Sequence, residues 1–250
     1  MIKSIDINAD LGECSPDSDA ALMPFISSAN IACGFHAGSP EQMKTTVALC
    51  FAHDLAIGAH PSYWDREHFG RRDLEISGHE VYALVQYQIG ALQAIANAQG
   101  AKVMHVKPHG ALYNRAAVDA SIADAIAQAI LDIDKHLLLV GLANSELIAA
   151  GRRHGLNTAA EGFADRGYSD NGLLVPRTQE GAMIETETAA LAQAMSMVET
   201  QTVTSVTGKV IAMPVDTLCV HGDGPHALAF VRTLHHALTE NGLCLKAISV

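Results

Sequence analysis

Short apolar runs rich in β-branched residues alternate along this chain with stretches long enough for helices. The strand-like runs are IDINA (5–9), ANIAC (29–33), LAIGA (55–59), VMHVK (103–107), HLLLVGL (136–142), LNTAAE (156–161) and TLCVHG (217–222), with KAISV (246–250) as a further candidate. Helix starts lie between them. Ser39-Pro40-Glu41-Gln42 offers an N-cap serine, proline at the first helical position and glutamine at the capping-box position. Ser77-Gly78-His79-Glu80 repeats the capping box before a long segment that runs to Gln99. Asn144 is expected to open a shorter helix that Gly151 or Gly155 closes.

Strand followed by helix, repeated this often, predicts parallel strands joined by helical crossovers. No Pro/Gly/Ser linker, charge run or internal repeat divides the chain, so a single domain over residues 1–250 is expected. The least regular part is 162–215, which holds FADRGYSDNGLLVPRTQEG and the short β-like pieces TVTSVT and KVIAMP. An open doubly wound sheet collects ligands at its switch point, whereas a barrel brings every strand end to one mouth. Here polar groups follow nearly every strand: Asn8, Asp10 and Glu13; His36; His60; Lys107 and His109; Glu161 and Asp165; His221 and Asp223. That recurrence favours an irregular, TIM-like (β/α) barrel of about seven parallel strands.

Each cluster has a bland reading beside its chemical one. Asp10 and Glu13 of NADLGE can hold a divalent metal or share acid–base work, or simply cap a turn. IACGFHAGSP sets Cys33 and His36 before a capped helix; no base is evident for Cys33, so a buried thiol is the simpler reading. GAHPSYWDREHFGRR offers His60, Asp65, Arg71 and Arg72, and the arginine pair can clamp phosphate or carboxylate or face solvent. VKPHGALYN carries Lys107, His109 and Tyr113; Lys107 suits a carboxylate or phosphate partner, or a structural ion pair with a glutamate. AEGFADRGY adds Glu161, Asp165 and Arg166, and VHGDGPHA adds His221 and Asp223. So many ionisable groups on one rim are costly unless they bind something.

Composition narrows the field. The chain has 250 residues, 49% of them apolar, a mean hydropathy of +0.16 and a formal net charge of -11. It lacks the basic footprint of a nucleic-acid binder and is ill matched to an anionic membrane. No run is long and apolar enough for a transmembrane helix. The five cysteines show no C-x-x-C pair, as expected of reduced thiols in a cytoplasmic protein. TSVTGKV is not a P-loop, because Val203 replaces the first glycine and Val210 the Ser/Thr.

NADLGE, NIACGFHAG, GAHPSY, FGRR, VKPHGALYN, AEGFADRGY and CVHGDGP together resemble the signature stretches of the LamB/YcsF family, in family order from residue 8 to 225. The resemblance implies a barrel of the glycoside hydrolase/deacetylase type. It also implies ATP-dependent opening of 5-oxoproline to L-glutamate, as one subunit acting with two others, B and C. Such chemistry calls for Mg2+ with ATP, and a further divalent metal is admissible. Under this reading Asp10, Lys107, His109, Asp165 and His221 are the catalytic candidates. His36, Arg71, Tyr113, Arg166 and Asp223 are candidates for substrate or phosphate, and Asp10, Glu13 and His60 for metal. Two rivals stay open: a stand-alone metal-dependent, deacetylase-like amide hydrolase, and a non-catalytic scaffold subunit.

Overall fold

Every second residue of the first strand is polar, although both faces of that strand lie inside the protein. The fold comes from a computed structural model that describes residues 4–220 and 227–248. In β1 (Ser4–Leu11), Ile5, Ile7, Ala9 and Leu11 join the main apolar core, whereas Asp6 and Asn8 are buried against polar partners from other strands. Asp6 accepts hydrogen bonds from Ser27, Ser28 and Thr217, and Asn8 bonds Asn30, Glu161 and Thr217. The apolar residues therefore face outward to the helices and the polar ones line the barrel axis.

The closure follows from strand pairing. β1, β2 (Ser28–Ala32), β3 (Ala56–His60), β4 (Val103–Val106), β5 (Leu138–Leu142) and β6 (Thr158–Phe163) pair in sequence, all parallel. An antiparallel hairpin of β7 (Thr202–Thr204) and β8 (Val210–Ala212) interrupts the series. β9 (Thr217–Val220) then pairs with both β6 and β1 and closes a seven-stranded barrel, as the sequence suggests. The eighth candidate strand is displaced: β10 (Cys244–Leu245) lies beside the start of β1, and 246–248 is not strand.

Around the barrel lie α1 (Pro16–Leu22), α2 (Pro40–Ala52), α3 (Gly78–Ala98), α4 (Gly110–Ala116), α5 (Ala120–Ile133), α6 (Glu146–Arg153), α7 (Glu187–Glu199) and α8 (Ala227–Glu240). Ser77 and Glu80 form the expected capping box of α3. Ser39 caps α2, but the Gln42 side chain reaches the Cys14 carbonyl instead of closing a box. The cap of α6 is Ser145, not Asn144, which takes a left-handed φ of 64° just before it; Gly155, at φ 74°, follows its end. Among the described residues, no helix is long and apolar enough to cross a membrane.

One glycine decides the shape of the barrel interior. The β3–β4 register slips between Ile57 and Gly58, which pair with Val103 and His105, so Met104 is an extra residue on β4. His105 then crosses the axis through the space over Gly58, where a Cβ would overlap the imidazole ring. Gly58→Ala is expected to destabilise the fold by roughly 1–3 kcal/mol through overpacking, read as a lower urea midpoint.

A buried carboxylate holds the turn after β1. Asp19 Oδ2 accepts the Gly12 amide at 2.8 Å and the Thr46 hydroxyl at 3.3 Å. Burial is the stronger influence and pushes the Asp19 carboxyl up to about 6 from an ordinary 3.8. With the folded value above the unfolded one, this group's stability is full below about pH 4 and is lost as pH climbs through about 6. Asp19→Asn should therefore gain melting temperature relative to the wild type as pH rises across that window.

Candidate active site

The axis of the barrel ends in a buried lysine. Lys107 follows β4, and its Nζ lies 3.0 Å from Asp10 Oδ1, 2.9 Å from Glu161 Oε1, 3.2 Å from Asn8 Oδ1 and 3.0 Å from Cys219 Sγ. Burial opposes its charge, but Asp10, Cys219 and Glu161 outweigh burial and hold the ammonium well above its ordinary range. Tyr113, on α4, donates to Glu161 Oε2 at 2.7 Å; burial and the Glu161 charge keep the phenol protonated. Asn30 donates to both Asn8 Oδ1 and Asp10 Oδ1, at 2.7 and 2.9 Å. His105 Nε2 sits 2.8 Å from Asn30 Oδ1, which only accepts, so this nitrogen carries hydrogen. Burial lowers the His105 pKa to about 3, so the ring is a neutral donor that fixes the Asn30 amide.

Beside Asp10 stands a group of histidines carried by the turns after β2 and β4 and by the last residue of β3. Glu13, His36, His60 and His109 each bring one donor atom within 4.8 Å of the others, so they can hold a metal ion. The loop 61–77 backs this group. Gln88 of α3 clamps Ser62 through both its amide and its carbonyl, and Ser62 Oγ meets His36 Nδ1. Phe69 adopts a left-handed φ of 56°, rare for a bulky residue, and its carbonyl meets His109 Nε2 at 2.9 Å. At the next position a Cβ on Gly70 would stand 2.9 Å from both His36 and His109. Burial and then neighbouring imidazoles hold His36 and His109 well below the ordinary histidine range. His60 moves the other way: burial opposes its charge, but Asp10 and Glu13 outweigh it.

These groups form the floor of a cavity of about 1090 Å3. Asp10, Glu13, His60, Lys107, His109 and Tyr113 line it, with Arg71, Arg115 and Arg177 higher up and an apolar wall from Leu142 and Leu173–Pro176. Arg71 lies over the Phe69 ring at 4.9 Å, while Arg72 turns away to Asp65. Of the residues expected from sequence, Asp10, Glu13, His60, Arg71, Lys107, His109 and Tyr113 meet here, and His36 stacks behind His109.

Asp165 does not line the cavity. The alternation of β6 turns Glu161 inward beside Lys107, while Asp165 lies beyond the strand, where its carbonyl holds the Ile184 amide. Arg166 reaches the cavity but spends its donors on the Val175 and Ala182 carbonyls, which makes it a staple of the 166–183 excursion. His221 and Asp223 lie outside the described residues. Sequence reading missed Asn30, His105 and Cys219 entirely; the only signal was their place on the polar side of a strand alternation. Cys33 is a buried thiol pushed up to about 12 by burial.

Lys107→Met should leave two buried carboxylates uncompensated and cost about 3–5 kcal/mol in urea unfolding. Adding Glu161→Gln should return part of that loss, which a double-mutant cycle reads as coupling between the two positions.

Comparison with known proteins bears on the fold and the family. A lactam utilization protein from Thermus thermophilus is 41% identical, with a TM-score of 0.91 over 98% of this chain and 100% of that one. A putative cellobiose-phosphate cleavage protein from Enterococcus faecalis is 12% identical, with a TM-score of 0.57 over 99% and 97%. The catalytic domain of a peptidoglycan N-acetylglucosamine deacetylase from Eubacterium rectale is 11% identical, with a TM-score of 0.53 over 99% and 89%. The last two share the fold. The sequence model of the LamB/YcsF family matches residues 5–250, and the chain belongs to that family.

Proposed function

We propose that this chain is the lactam-opening subunit of an ATP-dependent 5-oxoprolinase, converting 5-oxoproline to L-glutamate together with subunits B and C. The observation that carries the reading is the Asp10–Lys107–Glu161 group beside His60 and His109 on the floor of a cavity of about 1090 Å3. Support for a lactam comes from the relative described as a lactam utilization protein. The cavity is at the upper end of small-molecule sites, with room for a five-membered lactam and the phosphates of a nucleotide.

A lactam amide is resonance-stabilised, and a strain-free five-membered ring opens very slowly in water alone. Transfer of the γ-phosphoryl group from Mg2+-bound ATP to the amide oxygen would leave an imidate-like carbon open to water. Asp10, whose Oδ2 lies 3.3 Å from His60 Nε2, is placed to take the proton from that water. Lys107 stabilises negative charge developing on oxygen, and Glu161 and Tyr113 keep its ammonium in place. His109 or His60 delivers a proton to the ring nitrogen as the C–N bond breaks. The acyl phosphate left behind takes a second water at carbon, phosphate departs with the original amide oxygen, and the two waters supply both carboxylate oxygens. Arg71 and Arg177, higher in the cavity, suit the substrate carboxylate or the transferring phosphate.

Phosphate and glutamate release from 5-oxoproline with Mg-ATP should appear in equal amounts only when subunits B and C are added to this chain. In that mixture Lys107→Ala and His109→Ala should each lower the rate by at least about 100-fold. Full activity in either variant would remove these residues from the mechanism. Lactam hydrolysis by this chain alone without ATP would replace the reading with a stand-alone amide hydrolase.

A further inference from the structure

The imidazoles on the cavity floor turn their lone pairs toward one another. His60 Nδ1 lies 2.7 Å from the Lys107 carbonyl, and His109 Nε2 lies 2.9 Å from the Phe69 carbonyl. A carbonyl oxygen only accepts, so both of those nitrogens carry hydrogen. His60 Nε2 and His109 Nδ1 are then left as acceptors, and they face each other at 2.9 Å. His36 repeats the arrangement. The Ser62 hydroxyl donates to the Tyr63 carbonyl, so its oxygen takes the His36 Nδ1 hydrogen at 2.9 Å. His36 Nε2 therefore turns its lone pair on Glu13 Oε1, 2.8 Å away. The same carboxylate oxygen is 3.3 Å from His109 Nδ1 and 3.8 Å from His60 Nε2.

We propose that Glu13, His36, His60 and His109 form a site for one divalent cation of the zinc class, bound through Glu13 Oε1, His36 Nε2, His60 Nε2 and His109 Nδ1. Four electron-rich atoms this close repel unless a cation lies among them. A proton on His60 would relieve its own contacts with His109 and Glu13 but leave the His36 and His109 lone pairs on Glu13. Charging those two rings is a poor substitute, because they stack face to face at 3.8 Å with planes 5° apart. Each imidazole also has the outer partner that fixes a metal-binding tautomer: a carbonyl for His60 and His109, a hydroxyl for His36. Four of the six separations, 2.8 to 3.8 Å, bracket the edge of about 3.3 Å expected of a tetrahedron with zinc-length bonds, and all six lie within 4.8 Å. Three nitrogens and one oxygen suit a borderline transition ion, not Mg2+ or Ca2+, which take oxygen.

This set differs from the Asp10, Glu13 and His60 expected from sequence. Asp10 borders the site through His60, and its Oδ1 is committed to Lys107 and Asn30. When bound, such an ion polarises an amide carbonyl or activates water. The proposal goes beyond the ATP-dependent reading and stands without it; with the ion bound, His60 and His109 would serve as ligands, and the proton for the ring nitrogen would come from Asp10.

The test needs no turnover. The full chain, stripped by a chelator, is titrated with Co2+ while visible d–d absorption is followed, and zinc is counted by atomic emission in a separate reconstitution. One equivalent should bind per chain, with an absorption that Zn2+ removes and excess Mg2+ does not. Glu13→Gln and His109→Ala should abolish the band, and Ser62→Ala, which touches only the outer partner, should weaken binding roughly 10–100-fold. His154→Ala, outside the cluster, should leave binding unchanged, and circular dichroism checks that each variant is folded. A folded wild type with no band and only substoichiometric zinc would overturn the site in favour of a proton shared between His60 and His109. Undiminished Co2+ binding in folded Glu13→Gln and His109→Ala would overturn it as well, by placing the ion elsewhere.

Discussion

A lysine ammonium buried between two carboxylates at the centre of the barrel is the constraint to which the other polar groups answer. Ions removed from water are tolerated only when paired and hydrogen-bonded on all sides. Lys107 meets that demand with Asp10, Glu161, Asn8 and Cys219, and the first three are held in turn. Tyr113 covers the second Glu161 oxygen, Asn30 covers Asp10 and Asn8, and His105 fixes the Asn30 amide. One cation between two anions leaves a negative charge over, and its influence reaches His60, whose proton affinity rises against the effect of burial. Asp10 is thus the link between the polar axis and the histidine cluster.

The barrel makes this possible by separating its two faces. Parallel barrels usually pack branched apolar residues inside as well as outside. Here the outward face carries the apolar packing with the helices, and the inward face holds Asp6, Asn8, Ser28, Asn30, His105, Glu161 and Thr217, all buried. Such an interior specifies its own geometry, because each amide and imidazole has one orientation that satisfies its neighbours. The bulge at Met104 and the bare Cα of Gly58 give His105 its place in that order.

Proteins 11% and 12% identical to this chain follow the same barrel, and a shared barrel does not carry a shared chemistry. In this chain the strand ends converge on one cavity, and the excursion stapled by Arg166 adds the apolar wall from Leu173 to Pro176.

Local pattern was enough for the seven barrel strands, the caps at Ser39 and Ser77, and the rim that carries Asp10, Glu13, His36, His60, Lys107 and His109. Those are local matters: side-chain alternation, cap chemistry and polar residues placed where a strand stops. Packing across the closed ring sets Glu161, not Asp165, against Lys107, makes Arg166 a staple, and brings His36 and His109 to Glu13 and His60 while Asp10 turns to the lysine. The tertiary structure also moved the last strand to Cys244–Leu245 and the α6 cap to Ser145. Strand period tells which face a residue takes, but not which residue from a distant strand stands opposite. That depends on register, on one bulge and on the tautomer that a neighbouring carbonyl imposes, and these exist only once the ring has closed.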